Sequence, residues 1–537
     1  MLNKELLLDL ENLAKKGYQV PKFDVTNMRV RTQQHPEWIH FGAGNIFRAF
    51  LASAHQSLLN QNLVDTGIIV VEGYDYEIID YLVANDDLTI NVTLKQDGTV
   101  DKALLASVAE NIKMEQGTKK FEDLLVYSQS PSLKMMTFTI TEKGYQLFDR
   151  DGKLLSDIAQ DIEKGPLLAV SYLGKILTLL IKRFEAGRLP IALVSMDNMS
   201  KNGEKLRDAI LYIANEWVLN KFISYDFINY LLDSSKVTFP WTMIDKITPR
   251  PNEQIGKLLE KDGFYLENNQ TGKGSFIASY VNGEETQYLI IEDSFPNGRL
   301  PLDKVGIVYT DRGTVNLVET MKVTTCLNPL HTALALTGVL LGYDLISEEM
   351  KDIDLVKMIT QLGYKEGMPV VQNPNIIDPY NFIREVIEVR LPNPFMPDTP
   401  QRIATDTSQK LSIRFGHTIQ GYLDSKSLSP RNLTIIPFIY AVWYRYLLGI
   451  DDAGNIFEKS QDSVSERYLN FFNTSLWGKH ITLEELTPFL TDEIINGVDL
   501  IEAGLADKIC AYLNRMLEGP GKVRELLQEI TSQENNI

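Results

Sequence analysis

The sequence predicts an α/β domain with a mainly parallel sheet and helices on both faces, followed by a mostly α-helical domain. Two observations carry this. Up to about residue 290, short apolar runs alternate with stretches of helical periodicity, the pattern that builds a parallel sheet. Beyond about residue 300 only helical periodicity is left. The boundary between 1–295 and 296–537 is placed at Phe295-Pro-Asn-Gly-Arg-Leu-Pro301, a segment rich in turn formers.

The elements follow in order. Residues 1–37 form a helical lead-in and a polar link. Trp38 to Gly44 reads as a strand running into a glycine turn, and 45–60 as a helix with apolar residues at helical spacing. Residues 67–72 form a second buried strand. Strands at 88–94 and 104–108 flank Gln96-Asp97-Gly98, a hairpin signal. Further strands are expected at 134–141 and 191–195, with a long helix at 167–185. In the second half, helices are expected at 313–327, 330–342, 353–362, 378–390, 433–448, 462–473, 483–496 and 500–517. No strand pair is expected there, and residues 531–537 are expected to fray.

Composition narrows the function. The formal net charge of −18 argues against nucleic acid and anionic membrane, which both demand a basic face. Only two cysteines, Cys326 and Cys510, are present, which fits a reducing compartment. The six histidines are scattered, so no metal site is expected. The N-terminus lacks the apolar core of a signal peptide. Apolar runs such as 167–181 fall short of the roughly 18–20 residues of a membrane span. A cytoplasmic protein is the expectation.

Two segments carry chemistry. Gly42-Ala-Gly44-Asn45-Ile46-Phe47 follows a strand and opens a helix. The first glycine permits a tight turn, and the second lets backbone approach a pyrophosphate at the helix N-terminus. Phe47 stands where the third glycine of the Rossmann-type dinucleotide fingerprint would be. Glu72, at the end of the second strand, can accept from both ribose hydroxyls and repel a 2′-phosphate, which favours NAD over NADP. Asp75 competes for that role. The other segment is Lys322-Val-Thr-Thr-Cys-Leu-Asn328-Pro-Leu-His331, an amine, an amide and an imidazole just before an apolar helix. Burial disfavours a lysine's charged form and so makes it a general base. The plainer alternatives are a helix N-cap for Asn328, a packed core histidine for His331, and a surface pair of Lys322 with Glu319, three residues away on one helix face. Asp197-Asn198, where a strand ends, and Asp245, in the apolar segment Phe239–Pro249, are further candidates.

Together these segments, with Thr139-Ile-Thr-Glu142-Lys-Gly144-Tyr145, Asn202-Gly203 and Asp406-Thr-Ser-Gln-Lys410, resemble the mannitol dehydrogenase family of metal-independent polyol and aldonate dehydrogenases. Within it, Phe295-Pro-Asn-Gly-Arg299 and Ser408-Gln-Lys410-Leu411 are most similar to the fructuronate reductase branch, also called mannonate oxidoreductases. The resemblance implies NAD(H) as cofactor, held by Gly42, Gly44, Asn45, Ile46, Glu72, Glu142, Asn198 and Asp245. It implies Lys322 as general acid and base, Asn198 and Asn328 holding the reacting oxygen, His331 on a neighbouring hydroxyl, and Glu319 as proton relay. Asp245, Arg402 and Lys410 would line the substrate pocket, the two cations suiting a sugar-acid carboxylate. The implied reaction is the reversible reduction of D-fructuronate to D-mannonate by a monomer. Tagaturonate reductase and mannitol 2-dehydrogenase are the nearest alternatives, with a sugar-acid epimerase or a non-catalytic NAD-binding protein behind them. One departure stands out: the family places four residues between the lysine and the asparagine, and here there are five. The turn between two helices must absorb the extra one.

Overall fold

A computed structural model describes residues 2–265 and 268–532. The chain divides into two compact units, one of residues 1–95 and 99–316, the other of 96–98 and 317–537. The division falls later than the expected 295/296 boundary. Its reason is a strand the sequence reading missed: Val308–Thr310 pairs in parallel with Tyr288–Glu292 and so belongs to the first unit.

The first unit is built on six strands: β1 (Trp38–Phe41), β2 (Ile68–Glu72), β3 (Val108–Lys113), β4 (Met135–Phe138), β5 (Ile191–Ser195) and β6 (Val237–Thr238). All pairs are parallel, in the order β3-β2-β1-β4-β5-β6. This is the strand order of a dinucleotide-binding Rossmann sheet. Every residue of β1, β2, β4 and β5 is buried, as a sheet covered on both faces requires. Residues 88–108 divide differently from expectation. Thr89–Leu94 and Val100–Leu105 form the hairpin, while Val108 starts β3 in the main sheet. Thr242–Asp245 pairs antiparallel with Tyr288–Glu292 beside that sheet.

The second unit is helical. The helices Asn328–Leu341 and Ile435–Tyr446 form its interior, the latter buried at all twelve positions. Several expected helices are interrupted: 483–496 is two helices, Leu483–Leu490 and Glu493–Asn496. The chain also adds a terminal helix, Lys522–Ser532, where part of the frayed tail was expected; residues 533–537 lie outside the described residues. Against expectation, the helical stretch Arg312–Leu341 is long and apolar enough to cross a membrane, with 78% of its most apolar window buried.

Candidate active site

In the first unit, β1 delivers the chain into the Gly42–Gly44 turn. Gly42 has φ +108°, and a Cβ there would lie 2.3 Å from the Thr139 carbonyl oxygen, so no other residue closes this turn. A Cβ on Gly44 would meet nothing within 4 Å. Open space thus faces the start of the helix that begins at Asn45, and a pyrophosphate can approach the backbone there. The Asn45 side chain accepts from Arg48 Nη2 at 2.8 Å. Phe47 replaces the third glycine because it has a partner: its ring stacks on His40 at 4.2 Å between centroids. His40 is itself held by the Thr137 and Thr139 hydroxyls at 2.6 and 2.9 Å.

Glu72 ends β2 against this turn. Its carboxylate accepts the N–H groups of Ala43 (3.2 Å), Gly73 (3.0 Å) and Tyr74 (2.9 Å). Burial still pushes its pKa up, against the pull of those bonds. Asp75 instead accepts from the Thr271 hydroxyl at 2.6 Å. Of the two acids, Glu72 is the one that touches the glycine turn.

On the other side of β1, at the carboxyl ends of β4 and β5, lies a cleft of about 300 Å³. Ile46, Thr141, Glu142, Asp197, Asn198 and Lys246 are among its lining residues. Asp197 shapes it: its carboxylate accepts the N–H groups of Ile140 (3.0 Å) and Thr141 (2.9 Å) and the Tyr145 hydroxyl (2.6 Å). This holds Thr141 at φ +63°. Glu142 is paired with Lys205 at 3.1 Å. Asn202 and Gly203 knit the fold beneath. Asn202 Nδ2 donates to the Asp197 carbonyl and to Thr242, and a Cβ on Gly203 would strike the Phe239 and Pro240 carbonyls. Asp245 is buried in its strand and is not among the cleft's lining residues, although its neighbours Ile244 and Lys246 are. Strand order, the open turn at Gly44 and this cleft together fit a dinucleotide crossing the carboxyl edge of the sheet where its strand order reverses.

In the second unit, Lys322 is 3% exposed and opens a π-helical turn, Lys322–Cys326. The Leu327 N–H reaches back to the Lys322 carbonyl at 3.1 Å, a five-residue step. The wide turn is how the helix takes up the extra residue before Asn328. Asn328 is already inside the next helix, ahead of Pro329, and no side chain caps that helix. Its carboxamide has no hydrogen-bond partner among the described residues, which removes the capping alternative. Glu319 stands half-buried one turn before Lys322 and makes no hydrogen bond or ion pair among the described residues, which removes the surface pair. The His331 pKa is lowered to about 4, by burial first and by the nearby Arg414, Arg402 and Arg390 charges, against the pull of Asp398. Its Nε2 is buried without a hydrogen-bond partner; the Asp398 carboxylate lies 3.5 Å off.

The expected pocket cations are less available than their sequence suggests. Arg402 is paired with Asp398, four residues earlier. Lys410 Nζ donates to the Ile403 carbonyl at 3.1 Å and to that of Thr405. Burial and then Arg414 lower its pKa to about 8. The sequence reading missed Asp398, Arg390 and Arg414. Arg414 had one signal: it falls four residues after Lys410, on the same helical face. Lys322, Arg390 and Arg414 all lie on π-helical turns.

The residues of both units match known proteins. Residues 36–304 fit the family model of the mannitol dehydrogenase Rossmann domain, and 314–491 that of the mannitol dehydrogenase C-terminal domain. The chain belongs to the mannitol dehydrogenase family. It is 46% identical to the D-mannonate oxidoreductase of Thermotoga maritima, over 99% of both chains. It is 27% identical to a mannitol 2-dehydrogenase of Pyrenophora tritici-repentis, over 80% of this chain and 72% of that one. Its fold matches a D-sorbitol dehydrogenase in substrate-free form, with a TM-score of 0.78 at 22% identity over 95% and 97% of the two chains. It also matches Pseudomonas fluorescens mannitol 2-dehydrogenase in ternary complex with NAD and D-mannitol, with a TM-score of 0.68 at 22% identity over 99% of both.

Proposed function

We propose that the protein catalyses the reversible NAD-dependent reduction of D-fructuronate to D-mannonate. The full-length likeness to a D-mannonate oxidoreductase carries the choice of substrate. The buried stretch Lys322–His331 supports the chemistry. The bound nicotinamide supplies the hydride in reduction and takes it up in oxidation. Lys322 Nζ gives its proton to the carbonyl oxygen in reduction and removes it from the alcohol in oxidation. The Asn328 carboxamide donates to that oxygen as it becomes alkoxide-like. His331, neutral at cellular pH, holds the neighbouring hydroxyl through Nε2. Glu319 passes the lysine's proton to solvent. In the first unit, Glu72 faces the ribose end and Gly44 the pyrophosphate, while Asn45, Ile46, Glu142 and Asn198 attend the cleft that continues beyond.

The assay follows NADH oxidation with D-fructuronate, D-tagaturonate and D-fructose in parallel. Turnover of fructuronate in preference to the other two is expected; preference for another of them moves the substrate and keeps the mechanism. Lys322→Ala is expected to abolish turnover while NADH binding, read by nucleotide fluorescence, persists. Near-normal turnover in that variant would remove Lys322 from its role. We place the enzyme in the cytoplasm as a monomer of 60.9 kDa; both cysteines are free thiols, and light scattering tests the mass.

A further inference from the structure

Arg414 lies on the π-helical turn Ser412–Gly416, and burial lowers its pKa to about 10. Its Nη1 donates to the Thr332 hydroxyl, and that hydroxyl donates to the Asn328 carbonyl at 3.0 Å. Among the described residues this is the guanidinium's only hydrogen bond, and it has no ion pair. Its neighbours differ. The charge of Arg402 is matched by Asp398, and Lys410 is tied to two carbonyls. A largely buried guanidinium with no acid beside it is costly unless an anion completes it. Its Nε–Nη2 edge offers the fork that fits a carboxylate with two parallel hydrogen bonds.

Position agrees with that reading. Thr332 is adjacent to His331 and one helical turn beyond Asn328, a rise of about 5–6 Å. In D-fructuronate the carboxylate stands four carbon–carbon bonds from the reacting carbonyl. We propose that Arg414, aimed by Thr332, binds the substrate carboxylate and is the residue that makes this site select a sugar acid over a neutral polyol. The inference rests on the function proposed above and names the residue that sets its substrate class.

The test compares kcat/KM for D-fructuronate and for neutral D-fructose in the wild type, Arg414→Gln, Arg414→Lys and Thr332→Val. Where fructose turns over too slowly, calorimetric binding of D-mannonate and D-mannitol replaces it. Arg414→Gln is expected to lose about 100-fold or more on the sugar acid, while the neutral sugar changes less than about threefold. Arg414→Lys, which keeps the charge and loses the fork, should fall between. Thr332→Val should follow the same selectivity with a smaller loss. NADH binding should be unchanged in all, which also reports folding of the first unit. Equal losses on both substrates, or an unchanged sugar-acid constant, overturn the assignment. If the wild type turns over a different uronate, the substrate reading fails, and the same variants are judged on that uronate. If the wild type neither turns over nor binds any sugar acid, both the reading and the assignment are overturned.

Discussion

Glu349 shows how far one residue can depart from its ordinary chemistry in this fold. It is fully buried, and neither carboxyl oxygen has a hydrogen-bond partner. It lies over Gly338, where a Cβ would come within 1.8 Å of Oε1, so that glycine is needed for the contact. Burial, and then Asp352, raise the Glu349 pKa from 4.5 to about 9. The folded state therefore holds a proton that the unfolded chain releases above pH 4.5. Stability from this group is complete below about pH 4.5 and erodes as the pH rises toward 9. Glu349→Gln removes the titration. Urea denaturation should show the variant gaining on the wild type by about 1.4 kcal/mol per pH unit between pH 5 and 8. A gap that does not change with pH would mean that Glu349 titrates as an ordinary carboxyl. Residue types at the site were legible in the sequence: the Lys322, Asn328 and His331 trio is local, and so are Gly42 and Gly44. Their states were not. Arg402 and Lys410 read as free cations until Asp398 and the carbonyls of 403 and 405 were placed against them.

At the scale of elements, π-helical turns carry Lys322, Arg390 and Arg414. One added residue in a helix that must keep both flanks packed produces a five-residue hydrogen-bond step, and Lys322 opens that step. Deleting Val323, a half-buried residue within it, would restore the four-residue spacing and a regular helix while leaving Lys322 at nearly its present angle to Asn328, because the wide turn already takes up the about 100° that one residue adds. Turnover should stay within about tenfold of the wild type, with NADH binding intact. A loss of about 100-fold or more in the deletion would show that the wide turn itself sets the placement of the lysine. The periodicity of the sequence located this helix pair but not the wide turn, because an inserted residue leaves the apolar spacing on either side intact. The missed strand Val308–Thr310 has a similar cause. It is three residues long and half-buried, too short to alternate, and exists because Tyr288–Glu292 offers an edge.

For the whole molecule, the division of labour predicts how ligands act. The residues proposed to hold the dinucleotide belong to the first unit, and those proposed for acid–base chemistry to the second. NADH at about 100 times its dissociation constant should therefore stabilise the wild type by about 2.7 kcal/mol. It should stabilise Lys322→Ala to the same extent, read as equal upward shifts of the melting transition. A shift that vanishes with Lys322 would tie nucleotide binding to the lysine. The sequence by itself determined the two-part architecture, the glycine turn, the Lys322–His331 stretch and the family. These are properties of neighbours along the chain: apolar period, turn chemistry and residue spacing report local backbone preference and little else. Tertiary structure alone decided that Phe47 stacks on His40, that Glu72 and not Asp75 reaches the turn, that Asp398 takes up Arg402, and that Arg414 is left without an acid. Some of these partners are near in sequence, as His40 is to Phe47 and Asp398 to Arg402. Others lie tens of positions apart, as Ala43 from Glu72 and Thr332 from Arg414. In each case which groups are buried and which charges pair is settled only when the packed chain fixes the side chains against one another.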